Sequence, residues 1–504
     1  MTADQAETRQ QTAFRQSTGI AGLDEILNGG LPSHRLYVVE GDPGSGKTTL
    51  ALQFLREGAR LGQRVLYVTL SETLEELTDV ALSHRWTLDG IDMIELDSLS
   101  ERLEEEANYT VYHPADVELG ETVKRIRAEV ERLNPERVAL DSVSELKILS
   151  QTGVRYRREI LGLKQFFAGR KCTVLVLDDR TAPQGEQQLQ SIAHGVLRME
   201  REGREYGTTR RQVHIVKMRG VPFQEGRHDF VIRTGGLELY PRLCAGGART
   251  VRHDGMAGSG SPQLDELLGG GLDRGSSTLL LGPAGCGKTT MCSHYLLAAL
   301  QRGEKAACYQ FEESRETFLH RSAGFGMDFE PYLASGSLEL VPIDIGELSP
   351  GEFSSRVRRA VEQNHAAVVV IDSLNGYLNG MPSERFLLIH MRELLAYLGQ
   401  KGVVTVLTIA QHGMLGNSMQ SPVDVSFLAD TVILLRFFES AGAMRQAISV
   451  VKKRSGAHER TLREMKIGPK GMQIGEVLED FQGVLTGVPR YRGKDERLLG
   501  PNGK

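Results

Sequence analysis

The sequence contains Gly41-Asp42-Pro43-Gly44-Ser45-Gly46-Lys47-Thr48-Thr49 directly after the apolar run Leu36–Glu40. A second copy, Gly282-Pro283-Ala284-Gly285-Cys286-Gly287-Lys288-Thr289-Thr290, follows Thr278–Leu281. The glycines at the first and last loop positions allow successive backbone N–H groups to point inward at the β- and γ-phosphates of a nucleotide. A helix that begins at the loop adds the positive end of its dipole. Each copy therefore predicts a phosphate-binding loop.

Two side chains of each loop have predicted roles in ATP binding. Lys47 and Lys288 supply a positive charge to the phosphates, and Thr48 and Thr289 place a hydroxyl on Mg²⁺. Two matches at the same phase of a repeat, each between a strand and a helix, are not a chance coincidence of glycines. The expected cofactors are therefore ATP and Mg²⁺.

Each half also has an apolar strand that ends in Asp-Ser. These pairs are Asp141-Ser142 and Asp372-Ser373, and their acids follow the loop lysines by 94 and 84 residues. An acid at the carboxyl end of a neighbouring strand can hold Mg²⁺, usually through water. The placement in both halves predicts that Asp141 and Asp372 are metal residues.

The repeat extends beyond these motifs. The segment 22–31 recurs as 263–272, and both loop lysines and the acids Glu72 and Glu313 are 241 residues apart. A period of this length indicates two duplicated domains rather than a solenoid. Alternating strands and helices, with early strands that are continuous apolar runs, predict an α/β fold. We expect two tandem P-loop domains, each with a mostly parallel sheet flanked by helices.

The predicted domain boundaries follow from this repeat. We expect a disordered N-terminal arm at 1–16, the first ATPase domain at 17–240, a linker at 241–258, the second domain at 259–482 and a flexible tail at 483–504.

Composition limits the class of protein. The 504 residues are 40% apolar and 25% charged, with a net charge of −5, a balance typical of a soluble globular protein. No apolar run approaches the ~20 residues of a membrane span, and the N-terminus lacks the apolar region of a secretory signal. The five cysteines form no C-x-x-C pair, which favours a reducing cytoplasm. No membrane association is expected.

Carboxylates after the second strand of each half are candidate catalytic residues. They are Glu72 in the first half and Glu312 and Glu313 in the second. A carboxylate beside the γ-phosphate can orient and deprotonate the attacking water or hydroxyl, and Glu313 is also a candidate Mg²⁺ ligand. The alternative is that these acids only cap the next helix, as the pattern Thr73–Glu76 suggests.

Late in each half, a strand carries basic residues two positions apart. The pairs are Lys217 with Arg219 and Lys452 with Arg454, and period two places both charges of a pair on one face of a strand. They are candidate catalytic fingers that a neighbouring subunit supplies to the developing phosphate charge. This role requires a ring with ATP at the interfaces. The alternative is a solvated edge strand protected by its charges.

At this point the sequence resembles the KaiC family of circadian-clock ATPases and autokinases, within the RecA superfamily. The resemblance covers roughly residues 17–480 and includes both loops, the Asp-Ser pairs, the Lys-x-Arg strands and the stretch 311–314. It implies RecA-like domains, a homohexamer of two stacked rings with ATP between subunits, and slow hydrolysis in the first ring. Signalling or clock-like proteins are the partners that it implies.

The resemblance also implies an autokinase and autophosphatase in the second ring. In clock members its acceptors are a serine and a threonine that lie four and three residues before an Asp-Thr. Here the Asp-Thr is Asp430-Thr431, and Ser426 falls on the serine, whereas Phe427 occupies the threonine position. An ordered two-site cycle therefore cannot run, and the chain is a divergent member with Ser426 as its candidate phosphoacceptor. Ser426 could otherwise simply open a strand at 427–435.

Two rival classes stay open. A RecA-like nucleic-acid motor or recombinase needs basic channel loops, for which the sequence offers only the residues Lys147, Arg155, Arg157, Arg158 and Arg385. Nucleic acid is therefore not the expected partner. A nucleotide-gated assembly scaffold would bind ATP with little turnover.

Overall fold

The computed structural model describes residues 15–96, 114–150, 152–179, 188–203, 207–243, 253–344, 346–379, 384–411, 427–440, 442–469, 471–484 and 490–491. The chain forms two compact units, which divide between Arg242 and Leu243. No helix of the described residues is long and apolar enough to cross a membrane.

The first unit, which we call domain 1, has eleven strands in the described residues. They are β1 Arg15–Gln16, β2 Leu31–Pro32, β3 Leu36–Gly41, β4 Val65–Thr69, β5 Ile91–Glu95, β6 Arg137–Asp141, β7 Thr173–Asp179, β8 Gly195–Glu202, β9 Arg210–Met218, β10 His228–Arg233 and β11 Gly236–Tyr240. Its helices are α1 Ala21–Ile26, α2 Lys47–Arg60, α3 Leu74–Ser83, α4 Pro114–Leu133, α5 Val143–Leu149, α6 Gly153–Gly169 and α7 Gln188–Ile192.

The second unit, domain 2, has a similar order, with an added short helix before β16 and two further strands at its end. Its strands are β12 Met256–Ala257, β13 Leu272–Asp273, β14 Ser277–Gly282, β15 Lys305–Gln310, β16 Leu338–Pro342, β17 Ala366–Asp372, β18 Val404–Ala410, β19 Thr431–Ser440, β20 Ala443–Lys453, β21 Arg463–Gly468, β22 Gly471–Val477, β23 Phe481–Gln482 and β24 Arg490–Tyr491. Its helices are α8 Pro262–Leu267, α9 Lys288–Gln301, α10 Arg315–Gly324, α11 Glu330–Ala334, α12 Pro350–Glu362, α13 Leu374–Asn379 and α14 Glu384–Gln400.

Each domain is built on one nine-stranded sheet. The strand orders are β11-β10-β9-β8-β3-β7-β6-β4-β5 and β16-β15-β17-β18-β14-β19-β20-β21-β22. In domain 1, the six strands from β8 to β5 are parallel, and β9 to β11 extend the sheet in antiparallel order. Domain 2 follows the same scheme. The predicted fold class, two mostly parallel sheets flanked by helices, is confirmed.

The central strand β3 shows why its sequence is a continuous apolar run. Tyr37 and Val39 pack in the same core as Phe54 of α2, whereas Leu36 and Val38 pack in the core on the other side of the sheet. Successive side chains of a strand point to opposite faces, and helices cover both faces here. Every residue of β3 is therefore buried, as a doubly covered parallel strand requires.

The structure extends the predicted sheets on both sides, and β5, β8 and β16 are added among the parallel strands. Sequence periodicity did not identify β10, β11, β21 or β22, because these strands lie toward one side of the sheet and mix buried with exposed positions. The segment 427–430 is a turn, and the strand predicted at 427–435 begins at Thr431. In this turn, the Asp430 carboxylate accepts bonds from the backbone N–H and the hydroxyl of Ser277, both at 3.0 Å.

Three predicted boundary segments contain ordered strands. Arg15–Gln16 of the arm pairs with Leu31–Pro32, and Met256–Ala257 of the linker pairs with Leu272–Asp273. In the tail, Arg490–Tyr491 pairs with β23, and Val484 is 2% exposed. These residues therefore belong to the folded units, because paired backbone and buried side chains attach them there.

Candidate functional site

The lysine of each phosphate loop lies folded over its own loop. Lys47 Nζ donates to the carbonyl oxygens of Gly41 at 2.9 Å and Asp42 at 3.1 Å. Lys288 Nζ donates to the two equivalent carbonyls at 3.0 and 2.8 Å. Both lysines are the first residue of a helix, α2 or α9. Two sources of positive potential, the ammonium and the helix N-terminus, therefore coincide at each loop.

The glycine directly before the lysine of each loop is required by its backbone conformation and by its close neighbours. Gly46 has a φ of 103° and Gly287 a φ of 99°, in the left-handed region that side chains disfavour. A Cβ on Gly46 would lie 2.6 Å from Cδ1 of Ile232, and one on Gly287 would overlap Ile467. The two isoleucines lie on the antiparallel strands β10 and β21. These strands therefore pack directly against the loops and restrict their conformation.

The predicted metal residues of domain 1 are in direct contact. Thr48 Oγ1 donates to Asp141 Oδ2 at 3.0 Å, and the Tyr67 hydroxyl donates to the same oxygen at 2.5 Å. Burial raises the pKa of the Asp141 carboxyl, and the bonds from Tyr67 and Thr48 oppose that rise. A hydroxyl and a carboxylate are oxygen donors of the kind that Mg²⁺ prefers. These residues fit the cation.

Domain 2 builds the equivalent acid differently. The Thr408 hydroxyl donates to Asp372 Oδ1. Burial raises the pKa of Asp372, and hydrogen bonds from Thr408 and Thr289 lower it. At the position of Tyr67, 241 residues further along, stands the buried Cys308. A threonine hydroxyl from the next strand thus replaces a tyrosine hydroxyl, and the Thr–Asp oxygen pair is retained.

The Glu72 carboxyl has no identified structural role among the described residues. Its Oε2 is buried and has no hydrogen-bond partner there. Burial, then the charge of Asp141, raises the pKa of Glu72 to about 7. The cap of α3 is made instead by Thr73 and Glu76, which form a capping box. Helix capping therefore does not account for Glu72.

The two acids of domain 2 have different partners. The Ser373 hydroxyl donates to Glu312 Oε1 at 2.5 Å. Glu313 is held by Arg321, whose Nε and Nη2 donate to Oε1 and Oε2, both at 3.0 Å. The cap of α10 is Ser314, which accepts from the Thr317 N–H. Neither glutamate caps the helix.

The phosphate loop and the acids of domain 2 line one open cavity of about 480 Å³. Its walls include three loop residues, both glutamates and the metal acid: Gly287, Lys288, Thr289, Glu312, Glu313 and Asp372. Arg321, Phe325, Gln446 and Ile467 complete much of the remainder. The cavity combines cationic donors, a helix N-terminus and carboxylates, which is the chemistry of a nucleotide phosphate site.

Sequence reasoning missed two charged residues at these sites. Asp179, the last residue of β7, lies with its Oδ1 2.7 Å from Lys47 Nζ. The signal was available, because β7, like β6, ends in an acid, and β7 pairs directly with the loop strand β3. Arg321 lies eight residues after Glu313 on α10, and no motif marked it. Arg321 is thus a cation of the same domain that lines the domain 2 cavity.

The basic pair of domain 1 lies far from its own phosphate loop. Lys217 Nζ donates to the Gln190 carbonyl at 2.5 Å, and Arg219 Nη2 to the Ser191 carbonyl at 2.9 Å. The Arg219 N–H donates to the carbonyl of His194, and the His194 N–H donates to the carbonyl of Leu36 at the start of β3. The loop begins at the other end of β3, five residues or roughly 17 Å further along.

The pair of domain 2 has the same placement. Lys452 Nζ donates to the Ala429 carbonyl at 2.7 Å, and Arg454 bonds Asp430 Oδ1 at 3.2 Å and the Phe427 carbonyl at 3.0 Å. These partners lie at the amino end of β14. Neither pair can reach the phosphate loop of its own domain.

The candidate phosphoacceptor Ser426 lies outside the described residues. Its neighbour Phe427 is described and is 52% exposed.

Fold and sites together define a protein with two tandem P-loop nucleotide-binding domains. A profile of the family described as "ATPase: KaiC" matches residues 16–243 and 257–479. The chain is 28% identical to the circadian clock oscillator protein KaiC of Thermostichus vulcanus over 494 residues, 95% of this chain and 92% of the relative. It is 27% identical to that of Synechococcus elongatus over 511 residues, 99% of this chain and 96% of the relative. The chain belongs to the KaiC family of ATPases.

Proposed function

We propose that each domain binds Mg-ATP and that domain 1 hydrolyses it. The observation that supports this most is the repeated set of a loop lysine, a threonine hydroxyl and a buried aspartate, seen at Lys47, Thr48 and Asp141 and again in domain 2. The loop N–H groups and Lys47 bind the phosphates and leave the terminal phosphorus open to attack. Thr48 and Asp141 would hold Mg²⁺, which would neutralise phosphate charge.

In this proposal, Glu72 is the general base of domain 1. Its Oε2 has no hydrogen-bond partner in the described part of the chain and is available to accept a proton from the attacking water. A pKa of about 7 gives a base that is partly ionised at neutral pH yet strong enough to accept that proton. In domain 2, Glu312 and Glu313 are the equivalent acids, with Glu312 tied to Ser373. Glu313 remains a candidate Mg²⁺ ligand.

The basic pairs support assembly into a ring. The two basic pairs lie at the amino ends of β3 and β14, whereas the loops follow the carboxyl ends of these strands. The pairs are Lys217 with Arg219 and Lys452 with Arg454, and both arginines are exposed. Side chains at the amino ends can contact the phosphates of a neighbour if subunits pack head to tail around a ring. We therefore propose a homohexamer of two stacked rings, in which these residues act in trans as phosphate-stabilising fingers.

A second activity, autophosphorylation of Ser426 by domain 2, is also proposed. It is favoured by the pair of carboxylates in the domain 2 cavity, either of which could accept the proton of an attacking hydroxyl. Because relatives carry the name circadian clock oscillator protein, we propose a signalling or clock-related role for this chain, with protein partners.

The proposed ATPase is tested by phosphate release in Mg-ATP, with and without single-stranded DNA, and by light scattering in ATP and in ADP. We expect slow turnover that DNA does not change and a particle of about six subunits in ATP. Stimulation by DNA would favour the motor class instead. Assembly without turnover would favour the scaffold, and a monomer in saturating ATP would contradict the ring.

A further inference from the structure

Arg321 and Glu313 form a paired-fork contact inside the phosphate cavity of domain 2. Both carboxylate oxygens of Glu313 accept from the guanidinium, and Gln310 also donates to Oε2 at 3.4 Å. The two side chains are one-quarter exposed or less, at 25% and 22%. In this state, both oxygens of Glu313 are therefore hydrogen-bonded to the guanidinium of Arg321.

This pair belongs to domain 2 only. In domain 1, the position eight residues after Glu72 is Val80, which packs against the apolar core. Among the described residues, Glu72 accordingly has one unpartnered oxygen, whereas both oxygens of Glu313 accept from Arg321. The two domains thus share the strand, the cap and the acid, but among the described residues only domain 2 pairs that acid with an arginine.

We propose that Arg321 is a sensor for the terminal phosphate of ATP in domain 2 and that ATP binding transfers it from Glu313 to that phosphate. The inference rests on the proposed nucleotide site. A guanidinium binds a carboxylate and a phosphate through the same two-pronged geometry, so the two anions compete for it. Arg321 lines the same cavity as Lys288 and Thr289, and its buried Nη1 has no partner among the described residues.

Two consequences distinguish the sensor from a salt bridge that only holds α10 in place. First, ADP lacks the terminal phosphate, so Arg321 discriminates ATP from ADP. Second, Glu313 competes with ATP for Arg321. Loss of Arg321 must therefore weaken ATP binding, and loss of the Glu313 charge must strengthen it. A purely structural pair predicts the same direction for both changes.

The test measures binding by the full chain of fluorescent mant-ADP and the non-hydrolysable mant-AMPPNP, with Mg²⁺. All variants carry Lys47→Ala, so only domain 2 binds and any effect on assembly is common to them. We expect Arg321→Met to lower the preference for the triphosphate analogue roughly tenfold, the effect of one lost charge-assisted bond. Arg321→Lys should lie between, and Glu313→Gln should raise the preference. Arg315→Met, an exposed arginine on the same helix, is the control.

An unchanged preference in Arg321→Met, or a loss in both Arg321→Met and Glu313→Gln, would overturn the sensor. If Arg321→Met does not fold, the sign of the Glu313→Gln effect decides alone. Lys288→Ala distinguishes failure of the proposed nucleotide site from failure of the proposed sensor. If it leaves binding intact, the proposed nucleotide site is wrong, whereas if it abolishes binding while Arg321→Met has no effect, only the sensor is wrong.

Discussion

Lys47 of domain 1 forms an ion pair of 2.7 Å with Asp179, and the described residues of domain 2 hold no counterpart because Ala410 stands at the matching position of its sheet. The correspondence follows from register, since Asp179 lies opposite Gly41 and Ala410 lies opposite Gly282. The Asp179 carboxylate pairs with the Lys47 ammonium, which is the positive charge that the phosphates of ATP would contact. The two loops, nearly identical in sequence, therefore have different electrostatic surroundings.

We expect Asp179→Asn to increase the affinity of domain 1 for ATP. The substitution removes the anion that competes for Lys47, and one charge-assisted bond corresponds to roughly a tenfold change. Ala410→Asp is the matched change in domain 2 and should weaken ATP binding there. Titration with mant-AMPPNP, with the other domain silenced by Lys288→Ala or Lys47→Ala, measures each. Weaker binding by Asp179→Asn would show that Asp179 instead supports the nucleotide site.

ATP hydrolysis by domain 1 should depend on the ionisation of Glu72. Only the ionised carboxylate accepts a proton, so kcat/KM should fall as the pH drops through about 7, the pKa of Glu72. The profile of kcat/KM reports the free enzyme. Phosphate release in a Lys288→Ala background provides the measurement. Glu72→Gln should abolish the rate, while Glu75→Gln, an exposed acid on the following helix α3, should leave the profile unchanged.

The same pKa has a consequence for folding. Because the folded-state pKa of Glu72 is raised, its contribution is most favourable below pH 4.5 and is lost as the pH rises through about 7. Glu72→Gln should therefore stabilise domain 1 at pH 8 and have little effect near pH 4. Thermal unfolding at the two pH values tests this sign.

The two phosphate loops should affect assembly differently. Lys47→Ala removes nucleotide from domain 1 and should weaken the hexamer, if the first ring holds it together. Lys288→Ala should spare the hexamer and remove any kinase activity. Light scattering in Mg-ATP gives the size of each variant, and equal loss of hexamer in both would count against this division.

The trans role of the basic pairs can be tested by mixing subunits. Arg219→Ala should reduce turnover by on the order of 10³-fold, as for other arginine fingers, without abolishing ATP binding. In a mixture of Arg219→Ala and Lys47→Ala subunits, some interfaces combine an intact loop with an intact finger. Phosphate release should therefore recover on mixing. No recovery in verified mixed rings would place the effect of Arg219 within its own subunit.

Ser426 should gain a single phosphate during incubation with Mg-ATP. Phe427 has no hydroxyl, so a second phosphate at the adjacent residue is excluded. Intact mass and fragment spectra locate the group, and the double variant Glu312→Gln, Glu313→Gln should prevent it. If no mass is added over many hours, the kinase proposal fails and the ATPase proposal is unaffected.

The sequence by itself determined the family, the duplicated fold and the phosphate loops. These features are written in contiguous residues whose spacing is set by local backbone geometry, as in the loop 41–49 that joins a strand to a helix. The acids after the second strands were found for the same reason, since a strand end fixes where its next residue lies.

Only the tertiary structure decided what surrounds each of those residues. Asp179 meets Lys47 because two strands distant in sequence are neighbours in the sheet, and Ile232 closes on Gly46 from the antiparallel side. Glu72 and Glu313 occupy the same position of the repeat. Arg321 binds Glu313, whereas Val80 stands at the equivalent position after Glu72. Charge and burial depend on the side chains that packing brings within a few ångströms, and a local motif does not contain them.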